Sequence, residues 1–163
     1  MKSLVLFHMQ LPEAIEAGRM AVSLDPNAAY GYFALGHAEG ALGRCRQSNE
    51  HIKQAFVLSP RDPDGGWWHM DLGVSEICLS RVDAGIAEFR RAIDEGNRTF
   101  AVYAFLAGAA AVKGDDAEAK LALAEARRLN PHFTIKWLWT IYATVANNCG
   151  WLGKDRAAGR VSY

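Results

Sequence analysis

Ala29-Tyr30-Gly31-Tyr32-Phe33-Ala34-Leu35-Gly36, continued by Gly43, Ser48, Ile52, Ala55 and Pro60, is the stretch whose reading decides the fold. Tyr32 and Leu35 are three apart and share one helix face. Gly36 has no side chain, so another helix can come close there. Gly43 supplies a helix stop of the C-cap kind. Ser48, Ile52 and Ala55 follow at steps of four and three, which gives a second helix with a small-large-small stripe. Pro60 ends it, because proline cannot continue a helix. The stretch predicts two helices joined by a tight turn.

The same arrangement returns along the chain. Ser-Leu-Asp-Pro ends at Pro26, Val-Leu-Ser-Pro at Pro60 and Arg-Leu-Asn-Pro at Pro131. The first two prolines are 34 residues apart, and the next gap is 71, two periods plus three. A fixed period of this size marks a stacked repeat, in which each unit buries its apolar face only against its neighbours.

In the fourth unit Tyr103, Leu106, Ala107, Gly114, Ala119, Leu123, Ala126 and Pro131 fall in register with the second. The third unit is displaced to a distance of 37: Leu72-Gly73 answers Leu35-Gly36, and Phe89 and Ala92 answer Ile52 and Ala55. The extra residues fall in Pro63-Asp64-Gly65, read as a turn, and Asn97 stands where the closing proline would be. The first unit offers only a second helix, with Ala14, Ala21 and Pro26; residues 1–10 can supply only the last turn or two of its first. After Pro131, Thr134 suits an N-cap, Trp137 falls on the aromatic slot, and Asn147-Asn148-Cys149-Gly150 breaks the pattern.

Over residues 11–146 this arrangement resembles the tetratricopeptide (TPR) repeat. The resemblance implies an all-α, right-handed α-α superhelix with three full helix-turn-helix repeats and half repeats at both ends. The expected divisions are a half repeat 1–28, repeats 29–62, 66–99 and 100–133, a terminal helix 134–146 and a loose tail 147–163. A TPR solenoid implies a protein-protein interaction scaffold, although fold alone does not fix activity. Leu58-Ser59-Pro60-Arg61-Asp62-Pro63 with Trp67-Trp68, and the run from Leu121 to Ile135, also resemble the C-terminal TPR region of bacterial class III adenylate cyclases. That second resemblance implies a regulatory, self-associating signalling segment, as the alternative to a scaffold.

The 163 residues suit one domain. Half of them are apolar and the net charge is near zero, which argues against disorder and against a nucleic-acid surface. No stretch approaches the ~20 apolar residues of a membrane span. Cys45, Cys78 and Cys149 are an odd number without metal-like spacing. They read as reduced thiols of a cytoplasmic protein.

The chain carries no evident chemistry. The histidines at 8, 37, 51, 69 and 132 are spread over different units and none has zincin spacing. No catalytic, metal or cofactor site is expected. Asp115-Asp116 reads as a helix start, where carboxylates meet the positive dipole end. Arg90-Arg91 and Arg127-Arg128 read as solvated helix faces.

In a TPR solenoid the first helix of each unit lines the inner surface. Carrying the family's inward positions over points to Tyr30, Phe33 and His37 in the second unit, and to Trp67, Met70 and Val74 in the third, as a partner-binding face. The fourth unit offers Ala101, Ala104, Gly108 and Ala111. A groove that is aromatic at one end and small at the other suits an amphipathic or apolar protein or peptide segment. The alternative is that the small residues only permit tight curvature. The terminal segment carries Trp137, Leu138, Trp139, Ile141 and Tyr142, with little polar surface. A capping helix should have a polar outer face, so this segment reads as a self-association surface and leaves a homo-oligomer open.

Overall fold

A computed structural model describes residues 11–134. They form seven helices: α1 Leu11–Leu24, α2 Ala29–Ala41, α3 Cys45–Leu58, α4 Gly65–Cys78, α5 Val82–Asp94, α6 Phe100–Lys113 and α7 Asp116–Leu129. Among the described residues there is no strand. The helices pack most closely as consecutive pairs, α2 on α3, α4 on α5 and α6 on α7. Each pair then packs on the next through α3–α4 and α5–α6, and α1 packs on α2. The result is the all-α solenoid that the period predicts. The tail and the terminal segment with Trp137, Leu138, Trp139, Ile141 and Tyr142 lie outside the described residues.

The turn inside each unit is built the same way. Arg44 N donates to Glu39 O, Arg81 N to Glu76 O and Asp115 N to Ala110 O, each at 2.9 Å. This closing bond belongs to the Schellman motif, which requires a left-handed residue at its end. Gly43 (φ 73°) and Gly114 (φ 87°) occupy that position in the second and fourth units. The third unit places Ser80 there, at φ 62°. Asp115 also caps α7, accepting from Glu118 N at 3.0 Å.

The slot of Gly36 and Gly73 is where the two helices of a unit cross. A methyl group on Gly36 would lie 2.6 Å from Ile52 Cγ1, and one on Gly73 would lie 2.6 Å from Phe89 Cε1. Ile52 and Phe89 are fully buried, as are Ala55, Ala92 and Ala126. Large and small residues thus interlock across each pair at the density of a native core. Among the described residues Trp68 is the largest fully buried side chain; Phe33 stacks on it at 5.3 Å and Phe56 meets it edge-on at 5.4 Å.

Two local readings need correction. Pro63-Asp64-Gly65 is not wholly a turn: Gly65 already opens α4 and, with Gly66, is buried in its first turn. Asn97 approaches this turn closely, with Nδ2 donating to Gly66 O at 3.2 Å, and its Oδ1 accepts from Thr99 Oγ1 at 2.9 Å. Asn97 therefore replaces the closing proline with a buried hydrogen-bonded turn.

The reduced-thiol reading is also overturned for Cys45 and Cys78; Cys149 lies outside the described residues. Cys45, the first residue of α3, is disulfide-bonded to Cys78, the last residue of α4, with their Cα atoms 6.1 Å apart. That separation lies in the ordinary bridging range. Solenoid stacking brings the two helix ends together although 33 residues separate them in sequence. The bond removes the reduced-thiol premise behind the cytoplasmic placement. Among the described residues no cysteine is free, and no helix is long and apolar enough to cross a membrane.

Candidate functional site

Successive first helices touch one another, α2 with α4 and α4 with α6, more closely than successive second helices do. They therefore form the inner side of the stack. At its first end, Leu11 and Ala14 of α1 meet Tyr30, Phe33, Ala34 and His37 of α2 around an apolar recess of about 250 Å³. Tyr30 is 63 % exposed and lies 5.8 Å from Phe33, ring centre to ring centre; Phe33 is half-buried because its other face stacks on Trp68.

In the third unit Trp67 is 46 % exposed and Val74 half-buried, whereas Met70 is buried among α5 and α6 side chains. The inner surface of this unit is thus carried by Trp67 and Val74, with Met70 beneath it. In the fourth unit Ala104 is buried, Ala101 and Gly108 are half-buried and Ala111 is exposed. A methyl group on Gly108 would meet nothing within 4 Å. Packing does not require glycine there, in contrast to Gly36 and Gly73.

Charge is scarce on these helices. Glu39 is buried and accepts from His51 Nδ1 at 2.6 Å. Glu76 is buried and accepts from Asn49 at 2.8 Å, Lys53 at 2.9 Å and Arg81 at 3.1 Å. Burial pushes the Glu76 carboxyl up, but the Lys53, Asn49 and Arg81 hydrogen bonds outweigh it and hold the carboxyl below the usual range. Lys113 ends α6 and pairs with Asp83. Another pair spans two units: His37 Nδ1 donates to Asp71 Oδ2 at 2.6 Å. The Asp71 hydrogen bond and charge raise the His37 pKa above its ordinary value against the opposing effect of burial.

The His-carboxylate pairs were not legible as pairs in the sequence, and they recur. His69 occupies the aromatic slot of the third unit, packs on the Phe56 ring at 4.4 Å and donates through Nδ1 to Glu88 at 2.5 Å. Its Nε2 lies 3.2 Å from Glu95. No three ligating side chains among the described residues come close enough to hold a metal. The arrangement presents aromatic and small apolar side chains, and among the described residues it sets no nucleophile beside a base and an oxyanion stabiliser.

No family model matches the chain, and no curated protein matches it. Solved structures do. A crystal structure of MamA is similar with a TM-score of 0.67 at 21 % identity, covering 88 % of this chain and 79 % of that one. TTC0263, a thermophilic TPR protein of Thermus thermophilus, gives 0.65 at 22 % identity, over 88 % of this chain and 75 % of its own. YrrB, a TPR protein with an unusual peptide-binding site, gives 0.63 at 16 % identity, over 93 % and 74 %. The fold is a TPR solenoid. At these identities the likeness shows the fold alone, and it lends nothing to the adenylate cyclase resemblance.

Proposed function

We propose that this chain is a non-catalytic protein-protein interaction scaffold that takes an apolar or amphipathic segment along its inner face. One observation carries the reading. The inner helices expose Tyr30 and Trp67 at one end and leave open space over Gly108 at the other, with the His37–Asp71 pair beside the aromatics. Exposed aromatics beside a shallow apolar trough are the features of a surface that binds another chain. An amphipathic helix would lay its apolar side on α2, α4 and α6 and keep its polar side in water. The peptide-binding site of YrrB supports the reading by analogy of fold. The alternative, a self-associating regulatory segment, rests on residues 134–146, of which 135–146 lie outside the described residues, and on the cyclase resemblance.

Amide exchange of the full chain with and without an amphipathic apolar peptide tests the reading. Protection should fall on 29–41, 65–78 and 100–113. Protection confined to α3, α5 and α7 would rule the inner face out.

A further inference from the structure

The seam between the second and third units holds a group that the inner-face reading does not use. We propose that Cys45–Cys78 is a reversible thiol-disulfide staple, made and broken by small thiols of the glutathione class, that sets how firmly the second unit is held on the third.

Both bonded residues end helices and sit beside turns. Cys45 and Cys78 are 5 % and 8 % exposed, while Arg44, Ser80 and Arg81 next to them are exposed. A small thiol therefore reaches the bond by local opening of one turn rather than by unfolding. Ser80, two residues from Cys78, already holds the unfavourable left-handed backbone.

The seam keeps its other contacts when the bond is open. Asn49 Nδ2 donates to Ser75 Oγ at 2.9 Å and to Glu76 Oε1 at 2.8 Å. Lys53 pairs with Glu76, and His37 with Asp71. Ile52 and Ala55 of α3 share an apolar cluster with Trp68 and Leu72 of α4. A reduced Cys45 also finds an acceptor in place, because its sulfur lies 3.4 Å from the Gly43 carbonyl oxygen. Both redox states are thus folded states.

The two sulfurs differ in chemistry. Cys45 opens a 14-residue helix and is flanked in sequence by Arg44 and Arg46. The helix dipole and the cations favour its thiolate. Cys78 lies at a helix C-terminus, where the dipole disfavours a thiolate. Cys45 is the better leaving group. A glutathione thiolate attacks the Cys78 sulfur, the S–S bond breaks, and Cys45 departs as thiolate, leaving a mixed disulfide on Cys78. A second glutathione thiolate attacks the glutathione sulfur of that mixed disulfide and releases Cys78. Two electrons pass to the protein, the two glutathione protons end on Cys45 and Cys78, and oxidised glutathione leaves.

The staple stands on the seam geometry alone; its consequence for binding rests on the inner-face reading. Val74, an inner-face residue, packs with Leu79 against the bonded pair. Opening the bond frees the end of α4 beside the groove.

The test equilibrates the native full chain over a series of reduced-to-oxidised glutathione ratios. Alkylation and mass spectrometry then count free Cys45 and Cys78. The expected result is a shared midpoint within the series and an unchanged helical signal. The reduced form should melt roughly 10 °C lower, and exchange should rise about tenfold or more over 74–81 with 100–129 unaffected. Resistance to millimolar reduced glutathione without denaturant would make the bond a permanent staple and overturn the proposal. Full labelling at every ratio, or loss of helix on reduction, would overturn it too. In Cys45→Ser the exchange response should vanish. If it persists, its source is not this bond and the proposal falls.

Discussion

His37 and Asp71 are 34 residues apart, and His37 Nδ1 donates to Asp71 Oδ2 across 2.6 Å. The pair joins the inner helices of adjacent units beside the exposed aromatics, so its charge state bears on the geometry of the groove. Asp71 raises the His37 pKa through its hydrogen bond and its charge. A His with a raised folded pKa adds stability that is fully present below its unfolded pKa of about 6.5. That stability is lost as pH rises through the higher folded pKa. His37→Gln should therefore lower the melting temperature more at pH 5.5 than at pH 8.5. The pair is partly exposed, so the largest difference is about 1 kcal/mol, or ~2–4 °C. Melting curves at the two pH values check the sign, and an equal loss at both would remove His37 charge from the account.

Ser80 holds φ 62° where the other two units use Gly43 and Gly114. Left-handed backbone costs a side-chain-bearing residue roughly 1–2 kcal/mol. Ser80→Gly should stabilise the chain by about 1 kcal/mol, measured by urea denaturation. The mirror change, Gly114→Ser, should destabilise it by a similar amount.

Glycine on the inner helices plays two separate roles. Gly73→Ala would drive a methyl group to 2.6 Å from the Phe89 ring and 3.1 Å from Gly85 O. Overpacking of this kind costs about 1–3 kcal/mol. Gly108→Ala meets open space and should gain roughly 0.5–1 kcal/mol, because alanine favours the helix. Opposite signs in denaturant melts would separate a glycine that packing requires from one that it does not.

Ala126 is fully buried in a cluster with Ala104 and Phe133. Ala126→Arg would bury an unpaired charge where α6 and α7 meet, at a cost of about 3–5 kcal/mol. A melting temperature unchanged by this substitution would contradict the register of the fourth unit.

The period made the helices and their crossings legible, because the residues that repeat are those in contact. That another helix comes close at Gly36 could be read from the sequence; that Ile52 fills the approach there, and Phe89 the one at Gly73, came from the structure. What the spacing did not reveal lies between units. Cys45 starts a second helix and Cys78 ends the next first helix, and their separation of 33 shows their adjacency only once both are placed on the stack. His37 and Asp71 sit one period apart, a signal present in the sequence but meaningless without the pairing of successive inner helices. Met70 fell on an inward position by register yet is buried, because α5 and α6 side chains close over it. Periodicity fixes which residues lie on a face; what covers that face is set by side-chain size in the neighbouring unit.

The central claim is that the inner face binds another chain. Its most direct measurement is affinity for peptides selected against the full chain from a displayed library, compared between Gly108→Trp and Leu121→Glu. A methyl group on Gly108, in the first helix α6, would meet nothing within 4 Å, and Leu121 is 74 % exposed on α7, a second helix. The account predicts amphipathic, apolar-faced binders that weaken at least about tenfold with Gly108→Trp, a loss of ~1.4 kcal/mol, with no fall in melting temperature. Leu121→Glu should leave them intact. Binders indifferent to Gly108→Trp and abolished by Leu121→Glu would contradict it.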